Sequence, residues 1–144
     1  MIRLAFLFLF FLINLPATAQ ITGLWKSIDD RTNELKSVVE IVEKGGVISG
    51  KVVQIFPKPG EEPNPLCEKC PKDDSRYRKP ILGMEIIQSL QKSGNEYIGG
   101  TVLDPEEGKV YRCKIWLEGN TLKLRGYVGP FFRTQTWQRH STGK

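Results

Sequence analysis

Two of the three cysteines stand as Cys67-Glu68-Lys69-Cys70, inside the run "EEPNPLCEKCPKDDSRYRKP". A Cys-x-x-Cys of this kind suits a redox centre, half of a metal site, or a local disulfide. A redox pair is activated at a helix N-terminus, whereas here Pro63, Pro65 and Pro71 surround the pair and no helix begins there. Glu61, Glu62, Glu68, Asp73 and Asp74 disfavour a thiolate, while Lys69, Lys72, Arg76 and Arg78 favour it, so the local field is mixed. A zinc site wants four ligands, and the other soft donors, Cys113 and the single histidine His140, fall in separate predicted strands. A Cys67–Cys70 disulfide is the favoured reading, with a thiol-exchange centre and a metal site as alternatives. So small a ring stabilises by only about 2 kcal/mol, which still matters in a long loop with little apolar content. Cys113 shares a strand face with Tyr111, Ile115 and Leu117 and reads as a buried thiol.

Other catalytic constellations are thin. There is no Gly-x-Ser-x-Gly and no phosphate-binding glycine loop, and His140 lies next to the C-terminal tail. The carboxylate groups, Asp29 with Asp30 and Asp104 with Glu106 and Glu107, sit at turns, where acids serve the turn geometry. The chain leans away from an enzyme, and no metal or cofactor is expected.

The aromatic and cationic residues are more informative. Gly23-x-Trp25 opens the first predicted strand and Trp137-x-Arg139 closes the last. If the sheet closes on itself, those strands become neighbours, and Arg139 can lie across the Trp25 indole in a cation–π contact. Tyr111, Tyr127 and Arg133 add aromatic and cationic side chains to the late strands. Trp25, Tyr111, Tyr127, Arg133, Trp137 and Arg139 are therefore the candidate ligand-binding residues near the seam or a pocket. Arg112, Lys114 and Trp116 share one face of their strand, and the two cations are expected to point outward to solvent.

Eight short segments must position these residues: "TGLWKSID", "SVVEIVE", "VISGKVVQIF", "LGMEIIQSLQ", "EYIGGTVLD", "KVYRCKIWLE", "TLKLRGYVG" and "FFRTQTWQRH". Each is rich in β-branched, aromatic or alternating apolar residues and ends in a turn signal such as Gly45-Gly46 or Gly119-Asn120. In "PILGMEIIQSLQKSG", Leu82, Ile86, Ile87 and Leu90 also fit one face of a short helix, and periodicity leaves residues 81–93 open. Short links favour antiparallel neighbours. The expected fold is all-β: one antiparallel up-and-down barrel of about eight strands, with a two-sheet sandwich as the alternative.

The first residues, "MIRLAFLFLFFLINLPATAQ", combine Arg3, an apolar run shorter than a membrane span, and the small-x-small triplet Ala17-Thr18-Ala19. Residues 1–19 are expected to be a signal peptide cleaved after Ala19, residues 20–140 a single domain with a Pro-rich loop at 57–80, and 141–144 a tail. The product is expected in the periplasm or secreted, with no membrane span after cleavage. The formal net charge is +5, one unit of it from Arg3, and the basic residues are scattered among acids. No basic block and no aromatic–basic interleaving runs along the chain, so nucleic acid is excluded as a partner, while weak attraction to anionic lipid stays open.

Gly-x-Trp on the first strand with a late arginine resembles the calycin pattern of lipocalins and streptavidin-like barrels. A fuller resemblance covers nearly all of residues 20–140. "GLWKSIDD", "ISGKVVQIF", "CEKC", "GGTVLDPEEGKVYRCKIWL", "LKLRGYVG" and "RTQTW" resemble the exported bacterial family catalogued as domain of unknown function 2147. The resemblance implies a small periplasmic barrel-like domain and no reaction. The first functional expectation is a binder of a small apolar or anionic amphipathic ligand in the cell envelope. The alternatives are a ligand-free module that binds an envelope protein, and a thiol-dependent enzyme using Cys67 and Cys70. Protein recovered from the envelope is expected to begin at Gln20. Intact mass after denaturation checks this and shows whether the Cys67 and Cys70 thiol hydrogens are missing; a mass that includes residues 1–19 would contradict the cleavage.

Overall fold

Alternating apolar residues and frequent turn signals resolve into eight strands: β1 (Gly23–Ile28), β2 (Leu35–Lys44), β3 (Val47–Ile55), β4 (Glu85–Ser93), β5 (Glu96–Asp104), β6 (Lys109–Glu118), β7 (Thr121–Val128) and β8 (Phe131–Arg139). The structure is a computed structural model that describes residues 20–142. The expected signal segment, 1–19, lies outside the described residues, as do residues 143–144 of the expected tail. Each strand pairs antiparallel with the next, and β8 pairs with β1, which closes the barrel. Closure leaves no free sheet edge, so every strand has two hydrogen-bonding neighbours.

The segment open between strand and helix is extended from Glu85 onward. Its helix-like spacing has a physical cause. Ser89 takes a positive φ of 63°, and the register of β3 against β4 shifts between Ile48 and Lys51. A bulge of this kind inserts one residue, so Ile87 and Leu90, three apart, both turn inward and are fully buried. β5 bends with it: a Cβ on Gly100 would lie 2.2 Å from the Gln88 carbonyl oxygen, so only glycine lets the two backbones approach.

The core gathers in the half of the barrel nearer the β2–β3, β4–β5 and β6–β7 turns. Trp25, Ile41, Ile48, Leu90, Ile115 and Leu122 are all at most 1 % exposed. Burial of each aliphatic side chain contributes roughly 1.5–3 kcal/mol.

The long β3–β4 connection docks rather than floats. Cys67 N–H donates to Lys79 O at 2.8 Å, Arg78 N–H to Cys67 O at 3.0 Å, and Ile81 N–H to Pro65 O at 2.9 Å. A Cys67–Cys70 disulfide ties its middle, and both sulfur-bearing side chains are buried in the core cluster. Arg76 grips Asp74 at 2.8 Å, and that hydrogen bond holds the Asp74 carboxyl down to about 2. The disulfide turn then presses onto the β5–β6 turn. A Cβ on Gly108, whose φ is +69°, would lie 1.8 Å from Lys69 O.

Gly108→Ala is therefore expected to lower stability by about 2–4 kcal/mol, from left-handed strain plus displacement of the loop. Gly45→Ala shares the positive φ (58°) but meets nothing within 4 Å, and should cost only about 1 kcal/mol. Urea unfolding of both variants checks this; equal losses would mean that the loop contact contributes nothing.

Candidate functional site

Alternate residues of each strand point into the barrel. Toward the closed half those side chains are large. Toward the other half they shrink to Ser27, Ser37, Val52, Val102 and Gly126. The result is a cavity of about 640 Å³, opening between the β1–β2, β3–β4, β5–β6 and β7–β8 connections. Eight strands enclose room for one small ligand, and this volume lies within the usual span of ligand pockets.

Apolar walls come from Ile55, Ile81, Ile86, Val102 and Leu124, with Trp137 among them. Trp137 is 3 % exposed, and its indole N–H donates to Gln135 Oε1 at 2.9 Å. At β1–β2, Ser27 and Ser37 hydroxyls meet at 3.0 Å. The polar groups gather at the mouth. Arg133 Nε stands 3.2 Å from Asp30 Oδ1, Lys58 Nζ 3.0 Å from Glu34, and the Tyr111 hydroxyl donates to Glu107 Oε2 at 2.9 Å. Two further ion pairs cross the opening: Lys36 to Glu106 at 3.2 Å and Arg31 to Glu107 at 3.6 Å. The β1–β2 and β5–β6 connections stand on opposite sides of an eight-strand ring, so these pairs span it.

Titration follows from these surroundings. Burial pushes the Asp104 carboxyl up, and the backbone N–H groups of Glu107 and Glu106, at 3.2 and 3.0 Å, pull the other way as they cap its turn. Burial raises the Tyr111 phenol, and the Glu107 carboxylate raises it further. The Lys58 ammonium beside Glu34 holds that carboxyl below its ordinary value. Burial pushes the Cys113 thiol up to about 12, so it stays protonated and unreactive. Among the described residues, no cluster of His, Cys, Asp or Glu is arranged to hold a metal ion.

The six residues singled out from sequence separate into three places. Tyr111, Arg133 and Trp137 face the cavity. Trp25 and Arg139 lie together at the closed end, in register across β1 and β8. The Arg139 guanidinium carbon sits 4.1 Å from the Trp25 ring centroid, and the Trp25 indole N–H donates to Ile21 O at 2.8 Å. Arg139 also donates to Thr22 O at 3.2 Å and to Gln20 O. Tyr127 points outward beside Phe132, because Leu122, Leu124 and Gly126 take the inner face of β7. Lys36, Ser37, Val102 and Gly126 also line the cavity without having been singled out.

A closed eight-stranded antiparallel barrel with an apolar cavity open at one end is a lipocalin-like barrel. In keeping with this, a solved structure from Helicobacter pylori, described as "Protein HP1028 from the human pathogen Helicobacter pylori belongs to the lipocalin family", superposes with a TM-score of 0.71. It is 22% identical over 87% of this chain and 86% of that one, and the likeness is one of fold. The chain belongs to the bacterial family described as "Uncharacterized protein conserved in bacteria (DUF2147)", whose model matches residues 23–139. No curated protein matches the sequence.

The seam contact yields a direct expectation. Arg139→Ala and Trp25→Phe, made singly and together, should show a coupling energy of about 0.5–2 kcal/mol in urea unfolding. Strict additivity would mean that the guanidinium and indole do not interact.

Proposed function

We propose that this protein carries a small apolar or amphipathic ligand in the cell envelope. The observation that supports this reading is the cavity of about 640 Å³, apolar in its depth and polar at its mouth. An apolar chain or ring system would lie against Val102, Leu124 and Trp137. An anionic end would meet Arg133, Lys36 and the Tyr111 hydroxyl. Arg133 and Lys36 are already paired with Asp30 and Glu106, but exposed pairs of this kind contribute only about 0–1 kcal/mol each. An incoming anion therefore exchanges one weak partner for another at little cost. The two pairs that cross the mouth must part for a ligand to pass, and their weakness makes that compatible with reversible loading.

A thiol-dependent reaction draws no support from the pair that prompted it. Cys67 and Cys70 are 0 % and 3 % exposed, and the β5–β6 turn lies against them, so neither sulfur is placed for attack by a substrate. The envelope-interaction reading draws on the loop's outer surface, where Leu66 and Leu82 are exposed.

Parinaric acid, a fluorescent fatty acid, tests the carrier reading. Saturable binding is expected, weakened by about tenfold or more in Val102→Trp, which fills the cavity, with an unchanged β-sheet circular dichroism spectrum. No uptake by the parent protein, or equal uptake by the filled variant, would overturn the cavity as a carrier site and favour the interaction module.

A further inference from the structure

The outer face of β6, β7 and β8 touches the cavity only at Phe132, and strand register turns it into a grid. Arg112 stands beside Tyr127, which stands beside Phe132; the next row is Lys114, Arg125 and Thr134; the third is Trp116, Lys123 and Thr136. The Arg125 guanidinium carbon lies 5.1 Å from the Trp116 ring centroid and 4.1 Å from that of Phe132, and Lys114 Nζ lies 5.2 Å from Trp116. No acid occupies these rows; at their borders Glu96 of β5 is bound to Lys114 at 2.8 Å, and Glu118 follows Trp116 at the end of β6 away from the β7–β8 tip. Aromatic and basic side chains that do not interleave along the chain do so across three strands.

The same hairpin ends in Val128-Gly129-Pro130-Phe131-Phe132. Val128, Phe131 and Phe132 are 59 %, 74 % and 58 % exposed, the most exposed large apolar side chains among the described residues. They also border the cavity mouth.

We propose that the β7–β8 hairpin and the outer face of β6–β8 dock the barrel on an anionic lipid bilayer. The tip inserts at the acyl boundary, and Arg112, Lys114 and Arg125 meet the lipid phosphates. The dimensions agree. Interfacial segments bury their apolar face roughly 5–10 Å deep. Arg125 is four residues from Gly129, at most ~13 Å along the strand at about 3.3 Å per residue, and strand tilt shortens that depth. With Phe131 and Phe132 at the acyl boundary, the guanidinium groups stand at headgroup level. Aromatic rings with a polar neighbour and basic side chains with apolar stems suit that interface. A soluble acidic polymer would satisfy the cations but would leave the apolar tip in water. Of the acids at the mouth, Asp30, Glu106 and Glu107 are each bound to a cation, and Glu61 and Glu62 stand on the β3–β4 connection, across the ring from the β7–β8 tip. The proposal stands on the outer face and the hairpin, goes beyond the carrier reading, and needs no occupant in the cavity. If both hold, the mouth opens beside the membrane.

Flotation with vesicles tests it, using the chain from Gln20 onward, which contains the whole barrel and omits the apolar run at 4–15 that would itself bind lipid. The protein is expected to float with phosphatidylglycerol–phosphatidylethanolamine vesicles at low salt, and to lose binding on phosphatidylcholine alone and at high salt. Phe131→Ser with Phe132→Ser should weaken binding by about tenfold or more. Arg112→Gln with Lys114→Gln should weaken it about 25-fold, at roughly fivefold per cation. Urea unfolding checks that both double variants fold. Val102→Trp is expected to dock as the parent does, which separates this proposal from the carrier reading. Failure of the parent protein to float would overturn docking. So would binding that survives both double variants, or that is lost in Val102→Trp. Binding that depends on the cations but not on the phenylalanines would also overturn it, and would assign the face to a soluble acidic partner.

Discussion

Closure of the sheet is the constraint on which the rest depends, and it is narrowest where β1 meets β8. The ladder there runs only over Trp25 with Arg139 and Lys26 with Gln138, while His140 N–H reaches Leu24 O at 2.9 Å just beyond. Backbone pairing alone is a thin seam. Trp25 compensates by being fully buried, which removes enough apolar area from water to contribute roughly 4–6 kcal/mol. Arg139 covers the indole and ties it to the backbone of the entering chain through Thr22 and Gln20. One contact thus joins the first and last strands at the closed end of the barrel.

The opposite end is built to stay open. Small inner-face residues there, Ser27, Ser37, Val52, Val102 and Gly126, leave space between the larger walls of Ile86, Leu124 and Trp137. The β3–β4 connection, stapled by Cys67–Cys70 and by Asp74–Arg76, leans on the β5–β6 turn at Gly108. The disulfide ties the middle of a loop that lies against the β5–β6 turn beside the mouth, and both of its cysteines are buried. The ion pairs around the rim give the mouth polarity without closing it permanently, since each is exposed and weak.

Inside and outside of the same strands carry separate properties. Alternation along β6–β8 sends Tyr111, Arg133 and Trp137 inward and Arg112, Arg125, Tyr127 and Phe132 outward. The two sets meet only at the β7–β8 tip, where Phe131 and Phe132 border the cavity and also face solvent. A barrel of so few strands has one wall between its interior and its surroundings, so a cavity and the proposed docking face can share it and overlap only at that tip.

Much of this was legible in the residues alone. The eight strands, their turns and the antiparallel order follow from short apolar alternations punctuated by glycine, proline and asparagine, because local backbone geometry decides those features. The Trp25–Arg139 contact followed as well, since closure forces first and last strands together. Ambiguity arose where local pattern loses phase: the bulge at Ser89 gave β4 a helical spacing. Mixed strands were the other limit. In "FFRTQTWQR" neither face is purely apolar, so only the pairing of Trp137 with Leu122 and Gln135 with Leu124 decides which one turns inward. Side-chain size around the whole ring decided that a cavity exists, and register across three strands decided that scattered cations and aromatics form one surface. Those are sums over residues distant in sequence, and only the closed tertiary structure performs them.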